Sequence, residues 1–245
     1  MSAIYESDKL LAEYLLFHFG TPDEILPPEC AWPAGMHAAL GFTKRTVSHF
    51  GVERAARGLD LGCAVGGSTF EMARDCDEVT GIDFSHSFIR AAEALRDGGW
   101  LDYERLEEAS RKTKLRAHAP AGISERGIRF LQGDAMNLPD DLGSFERVHA
   151  ANLLCRLPQP QRLLERLPSL VKPGGELVLA TPCTWLEEFT PHENWPSEGT
   201  LAWLKSSLSP DFTLVKETEE PFLIRETARK FQWTSSLVTV WRRMI

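Results

Sequence analysis

The sequence predicts an open α/β fold: a mostly parallel seven-stranded sheet, an antiparallel pair at its C-terminal edge, and a helical cap at the N-terminus. Three observations carry this. From Arg57 onward short apolar strands alternate with helical runs, which implies parallel pairing with helices on both faces. The first strand enters a glycine turn, Asp60-Leu61-Gly62-Cys63-Ala64-Val65-Gly66-Gly67, and the second ends on an acid, Asp83. Near the C-terminus, FTLVKETEEPFLIRE and QWTSSLVTVWR are two β-rich runs with so little between them that they should pair antiparallel.

Residues 1–50 read as the cap and 51–245 as the sheet domain. Within 5–19, Leu10, Leu11, Tyr14, Leu15 and Phe19 recur at helical spacing, and Ser7 or Asp8 supplies the cap. The four prolines of TPDEILPPECAWPAG predict a loop. Residues 36–50 predict one further helix with Leu40, Val47 and Phe50 inward. Then come a strand at 58–62, a helix at 67–75, a strand at 78–84 and a helix at 85–97. The polar run 98–126 interrupts the alternation and reads as an insertion, part helix and part loop. Strands are expected at 127–135, 147–154 and 176–181, with a helix at about 159–171 between the last two.

Composition narrows the function. A net charge of −8 argues against a nucleic-acid footprint, since phosphate binding wants a basic face, and favours a small substrate. Five scattered cysteines without a C-x-x-C pair fit reduced thiols in a cytosolic protein. The first twenty residues carry acids early, so no signal peptide is expected, and no apolar run is long enough to span a membrane. The expected location is cytoplasmic.

The glycine turn is chemically specific. Its spacing is Asp-x-Gly-x-x-x-Gly, and Ala64 stands where a dinucleotide fingerprint has its middle glycine. An acid two residues before the first glycine suits a cation and disfavours phosphate. S-adenosylmethionine (SAM) carries an ammonium and a sulfonium and no phosphate, so it fits this turn better than a dinucleotide. Asp83, at the second strand end, is placed to accept hydrogen bonds from two ribose hydroxyls, with the Phe84 ring against adenine. In class I methyltransferases an acid at the third turn, here Asp134, meets the adenine amino group, and the next backbone N–H, here that of Ala135, meets the ring. The fourth strand ends at Asn152, where cofactor and acceptor meet. VKPGGELVLAT resembles that family's entry into strand five. The expected cofactor set is Asp60, Gly62, Cys63, Ala64, Gly66, Asp83, Phe84, Asp134, Ala135 and Asn152, on a Rossmann-like class I methyltransferase fold.

A closer resemblance extends over nearly the whole chain. YESDKLLAEYLLFHFG, DLGCAVGGSTFEMAR, GIDFSHSFI, QGDAMNLP, AANLLCRL, TPCTWLEEFTP and PFLIRETARKFQW resemble the methyltransferase region of the 5-thiohistidine sulfoxide synthases of ovothiol biosynthesis. The resemblance implies methyl transfer from SAM to an imidazole nitrogen of 5-thiohistidine (4-mercaptohistidine), giving ovothiol A. In that family the region often follows a large iron-dependent synthase. This sequence begins just before the motif, which predicts a free-standing protein; either a separate sulfoxide synthase, functionally linked to it, supplies the substrate, or the acceptor has changed. The seven histidines show no iron-ligand spacing, so no metal is expected here.

Acceptor candidates follow. Tyr14 and His18 share one helix face, with Tyr5 just ahead, and together they predict a lid over the acceptor; the alternative is that Tyr14 and Phe17 are core and His18 a satisfied histidine. His18, Glu6 or a tyrosine hydroxyl would take the proton that the acceptor sheds. Asn152 is either a substrate contact or a strand-end cap. Arg225 is either a clamp for the substrate carboxylate or a partner of Glu226 or another acid. Trp185, Glu187 and Glu188 lie on a loop expected to cover the acceptor. Cys63 and Cys183 sit at strand ends without a histidine partner, which argues against covalent catalysis.

Overall fold

A computed structural model describes residues 3–245; Met1 and Ser2, which belong to the expected cap, lie outside the described residues. The chain opens with a turn of 3-10 helix at Ala3–Glu6 and then α1, Asp8–Phe19, capped by Ser7, whose side chain accepts from the Leu10 N–H at 3.3 Å. The proline-rich stretch is not all loop. Thr21 and Glu24 form a reciprocal capping box, so α2 (Pro22–Ile25) completes a turn. The single helix expected at 36–50 is two, α3 (Ala34–Ala38) and α4 (Phe42–Val47), split where Gly41 takes φ +68°. Val47 and Phe50 are buried as expected, and Leu40 partly so.

The sheet domain then alternates as read: β1 (Ala55–Leu61), α5 (Gly67–Met72), β2 (Cys76–Asp83) and α6 (His86–Gly98). The insertion is neither helix nor loop but a hairpin, β3 (Trp100–Glu108) against β4 (Arg111–His118). Its residues alternate between exposed and half-buried, because one face packs on α1 and α6 while the other meets water. The Arg116 guanidinium covers the Trp100 ring at 3.9 Å.

There follow β5 (Ile128–Gln132), β6 (Phe145–Ala151), α7 (Pro160–Leu170) and β7 (Val171–Thr181). Helix α7 starts on Pro160, whose missing N–H costs nothing at a first helical position, and buries Leu163, Leu164, Leu167 and Leu170 along one stripe. Each such leucine contributes about 1.5–3 kcal/mol of burial. Helix α8 (Thr200–Leu208) precedes the antiparallel pair β8 (Phe212–Arg225) and β9 (Phe231–Arg243).

The strand order is β5-β2-β1-β6-β7-β9-β8, parallel from β5 to β7 and antiparallel at both β9 contacts. The chain leaves β1 toward one edge and returns as β6 on the other side of β1. That reversal is a topological switch point, and open sheets of this kind bind ligands beyond the carboxyl ends of the strands flanking it. Among the described residues, no helix is long and apolar enough to cross a membrane.

Candidate active site

The turn after β1 is shaped for close backbone approach. Ala64 is held at φ +49° and Gly66 at φ +92°. A Cβ on Gly66 would stand 2.7 Å from the Phe130 ring, and one on Gly67 would stand 2.5 Å from His18 Nδ1. These positions require glycine for reasons of conformation and space. Beside them Asp83 accepts from the Ala64 N–H and the Ser85 N–H, both at 2.9 Å. Burial pushes its carboxyl up to about 6, against the pull of those two donors.

Asp60 lines the cavity, yet both of its oxygens are met within the protein. Oδ2 accepts from the Thr69 hydroxyl at 2.7 Å, and Oδ1 lies 2.8 Å from His149 Nδ1. The far side of that imidazole is 3.1 Å from Thr46 Oγ1 on α4. Asp60 therefore holds the turn rather than offering a bare charge to a cation. His149 was not foreseen, because a histidine in mid-strand carries no motif.

A cavity of about 320 Å³ opens from this turn toward α1. Its lining includes Gly62, Cys63, Ala64 and Asp83 from the two strand ends, together with Tyr5, Tyr14, Phe88 and Phe189. The Tyr5 ring lies 6.1 Å from that of Phe88 and 6.2 Å from that of Phe189, and Tyr14 sits 4.9 Å from Phe88. Burial raises the pKa of both hydroxyls. The N-terminal segment is tied down over this cavity: the Ser85 hydroxyl donates to the Tyr5 carbonyl at 3.0 Å, and Glu6 accepts from the His86 and Ser87 N–H groups at the head of α6.

His18 lines the cavity, but its Nδ1 accepts from the Gly67 N–H at 3.0 Å. Burial holds its pKa down at about 4, so it is neutral, already bonded, and a poor proton acceptor. The expectation that it takes a proton is corrected on that ground. Glu6, committed to two backbone donors with its pKa lowered through hydrogen bonds that outweigh desolvation, is equally unsuited.

Asn152 reaches the cavity at φ +55°, and its Oδ1 accepts from the Ser236 hydroxyl at 2.7 Å. Arg225 does not reach it. Its guanidinium is buried and donates to the carbonyls of Glu24, Ile25 and Thr227, with Glu107 at 3.5 Å. The carboxylate-clamp reading of Arg225 is corrected: the residue ties β8 to α2 and the hairpin. Gly66, Phe84, Asp134 and Ala135 also fall outside the lining; Phe84 is a surface ring, 37% exposed, and Asp134 accepts from the Met136 N–H. The expected covering loop contributes Leu186, Glu188 and Phe189, whereas Trp185 turns away to donate to the Thr200 hydroxyl. Burial pushes the Cys63 thiol well up, which disfavours a thiolate. Among the described residues no group of acids, cysteines and histidines could hold a metal ion.

Arg156 is the residue that sequence reasoning missed. It follows β6 in a 3-10 turn (Leu154–Arg156), lines the cavity, and lies over the Phe189 ring at 4.7 Å. Its Nη1 donates to the carbonyls of Cys155 and Thr184. Among the described residues no carboxylate pairs with it. A half-buried guanidinium that lines the cavity and pairs with no carboxylate can receive an anionic group.

The donor set at the glycine turn fits SAM. Asp83 has lone pairs for a ribose diol, the backbone can come close at Gly62 and Ala64, and no basic group of the turn calls for a phosphate. The sheet order with this turn is the Rossmann-like fold of the class I SAM-dependent methyltransferases. Residues 59–179 match the family described as "Methyltransferase domain", so this stretch of the chain is a methyltransferase domain. The chain is 31% identical over 123 residues to demethylmenaquinone methyltransferase of Lactococcus lactis, covering 49% of this chain and 39% of that protein. It is 28% identical over 138 residues to the Staphylococcus aureus counterpart, covering 55% and 46%. The match thus spans less than half the length of these curated relatives. Among solved structures, the N-methyltransferase NodS from Bradyrhizobium japonicum bound to S-adenosyl-l-homocysteine aligns over 95% of this chain and 98% of its own, with a TM-score of 0.53 at 16% identity. A structure on the conversion of a disulfide bond into a thioacetal group during echinomycin biosynthesis aligns over 97% and 90%, with a TM-score of 0.58 at 16% identity.

Proposed function

We infer that the protein transfers a methyl group from SAM to a ring nitrogen of 5-thiohistidine, giving ovothiol A, with residues 1–50 as a lid over the acceptor. The observation that carries this reading is a coincidence of segments. YESDKLLAEYLLFHFG, one of the stretches outside the cofactor turns that resemble the thiohistidine family, is also the segment that lends Tyr5, Tyr14, Phe17 and His18 to the cavity. Arg156 adds a cation for the acceptor carboxylate, and the aromatic wall suits a flat imidazole.

SAM supplies an electrophilic methyl on a sulfonium, so the chain's work is positioning, charge and exclusion of water. Asp83 and the backbone of the glycine turn hold the cofactor, and Arg156 holds the acceptor by gripping an anion. Tyr5, Tyr14 and Phe88 form a dry wall of the cavity. Because His18 is neutral and already bonded, the acceptor nitrogen must arrive with its lone pair free or lose its proton elsewhere. A separate sulfoxide synthase would supply the thiohistidine.

A second reading, transfer to another small acceptor, is favoured by the demethylmenaquinone methyltransferase relatives and the apolar lining. Incubation with SAM and a panel of thiohistidine, histidine and a demethylated quinone, followed by product mass, separates the two. Thiohistidine should gain one methyl, and histidine should be turned over at least about 100-fold more slowly, since a site built to bond a polar substituent rejects the analogue lacking it. Preferential methylation of the quinone, or equal turnover of both histidines, rejects the first reading.

A further inference from the structure

Helix α1 carries a buried carboxylate that nothing described so far uses. Glu13 is only 6% exposed. Its Oε1 has no hydrogen-bond partner, and its nearest cation is Lys9, an exposed side chain 3.6 Å away along the helix. Burial raises its pKa despite Lys9. It stands one helical turn before Phe17 and beside Tyr14, and it lines the main cavity. It also lines a second cavity of about 330 Å³ between α1 and the β3–β4 hairpin, so it forms a shared wall. A buried carboxylate oxygen left without a donor is costly in the free protein. Such a cost persists where a ligand relieves it.

The neighbouring acid is not in the same position. Glu226 has Lys230 at 2.6 Å and the Gln232 amide at 2.9 Å, so its charge is already met. Glu13, met only by Lys9 at 3.6 Å, and Arg156, which has no carboxylate partner among the described residues, both line the cavity.

We propose that Glu13 is an acceptor-binding residue whose carboxylate receives a protonated amino group, so that together with Arg156 it selects a zwitterionic small molecule over a plain anion. The proposal rests on reading the cavity as a small-acceptor site, but not on 5-thiohistidine being that acceptor. It also explains why the carboxylate sits on the cap and not on the sheet. Docking of α1 then completes recognition, and an acceptor lacking the amino group leaves Glu13 unmet.

The test is calorimetry on the full chain saturated with S-adenosylhomocysteine, at a pH where imidazole is neutral. The probes are histidine, histamine and imidazole-propionate, compared between the native protein and Glu13→Gln. Glu13→Gln is close in shape, and its melting temperature reports that it folds. The expected result is a loss of about tenfold or more for histidine and histamine, with imidazole-propionate unchanged. Arg156→Ala should give the mirror pattern, weakening histidine and imidazole-propionate but not histamine. Equal losses for all three probes in Glu13→Gln, no loss for histamine, or no binding of either amine to the native protein would overturn the proposal. Methylation of thiohistidine with unchanged KM in Glu13→Gln would overturn it while leaving the proposed reaction standing. Conversely, the probe pattern without any thiohistidine product would sink the reaction alone.

Discussion

Replacing Asp83 by Asn should weaken cofactor binding while relieving a pH-dependent cost in the free protein. In the ligand-free protein this carboxyl is buried, and its pKa stands near 6 against 3.8 for the free side chain. A carboxyl whose folded pKa is raised contributes stability below its unfolded pKa and loses it as pH rises through the folded value. The window is therefore from about 3.8 to about 6. At about 1.4 kcal/mol per unit of pKa, ionising Asp83 in the fold costs about 2–3 kcal/mol at neutral pH. Asn cannot ionise, so this term vanishes in the variant. The static loss of one N–H acceptor, from Ala64 or Ser85, is present at every pH and cancels when the two proteins are compared at about pH 4 and about pH 7.5. The native protein should lose about 5–10 °C more in melting temperature than Asp83→Asn across that interval, given about 2–4 °C per kcal/mol at this chain length. With cofactor the order reverses. Loss of charge-assisted bonds to the ribose hydroxyls costs about 1.5–3 kcal/mol, or about 10- to 100-fold in Kd for SAM. Differential scanning calorimetry at both pH values and titration calorimetry with SAM read the two effects. An identical pH dependence of melting would refute the buried-charge argument, and an unchanged Kd would refute the ribose role.

Three further outcomes follow from the same geometry. Arg156→Ala should raise the KM of an anionic acceptor about 10- to 100-fold with KM for SAM unchanged, as steady-state kinetics with each substrate varied will read; an effect confined to SAM contradicts the acceptor assignment. His18→Gln should keep every inflection of the native pH–rate profile above about pH 5, because the native imidazole is neutral there; loss of an inflection near neutrality would make His18 a base after all. The native His18, its folded pKa depressed below 6.5, adds stability that is lost as pH falls from there toward about 4. Arg225→Ala should cost about 2–4 kcal/mol in denaturant unfolding while leaving acceptor KM alone, since its bonds go to backbone carbonyls of the fold.

What was legible in the sequence follows from what leaves a local signature. The alternation around β1, β2, β5, β6 and β7 did, because buried parallel strands and amphipathic helices each have their own period. So did Ser7 as a cap, since capping chemistry is local. The hairpin did not. Its strands carry charged residues such as Asp102, Glu104, Lys112 and Arg116, and their pairing depends on α1 and α6 beneath them, a tertiary support that propensity does not contain. The break between α3 and α4 rests on one residue, Gly41, that a helical window averages away. At the glycine turn, the left-handed backbone of Gly66 and the strand-end position of Asp83 constrain residue type, and of the two Asp83 lines the cavity. Arg156 was not, since an irregular 3-10 turn sets its aim. Arg225 showed the converse: an arginine in a strand next to an acid looks the same in sequence whether it faces a ligand or the carbonyls of another element.

Position-resolved NMR of the product formed from 13C-methyl-labelled SAM and 5-thiohistidine tests the central claim most directly. The labelled methyl should correlate with imidazole ring carbons across a nitrogen, and the product should retain a free thiol. A methyl correlating to the ring through sulfur, or no labelled product from thiohistidine while another acceptor is methylated, would contradict the account.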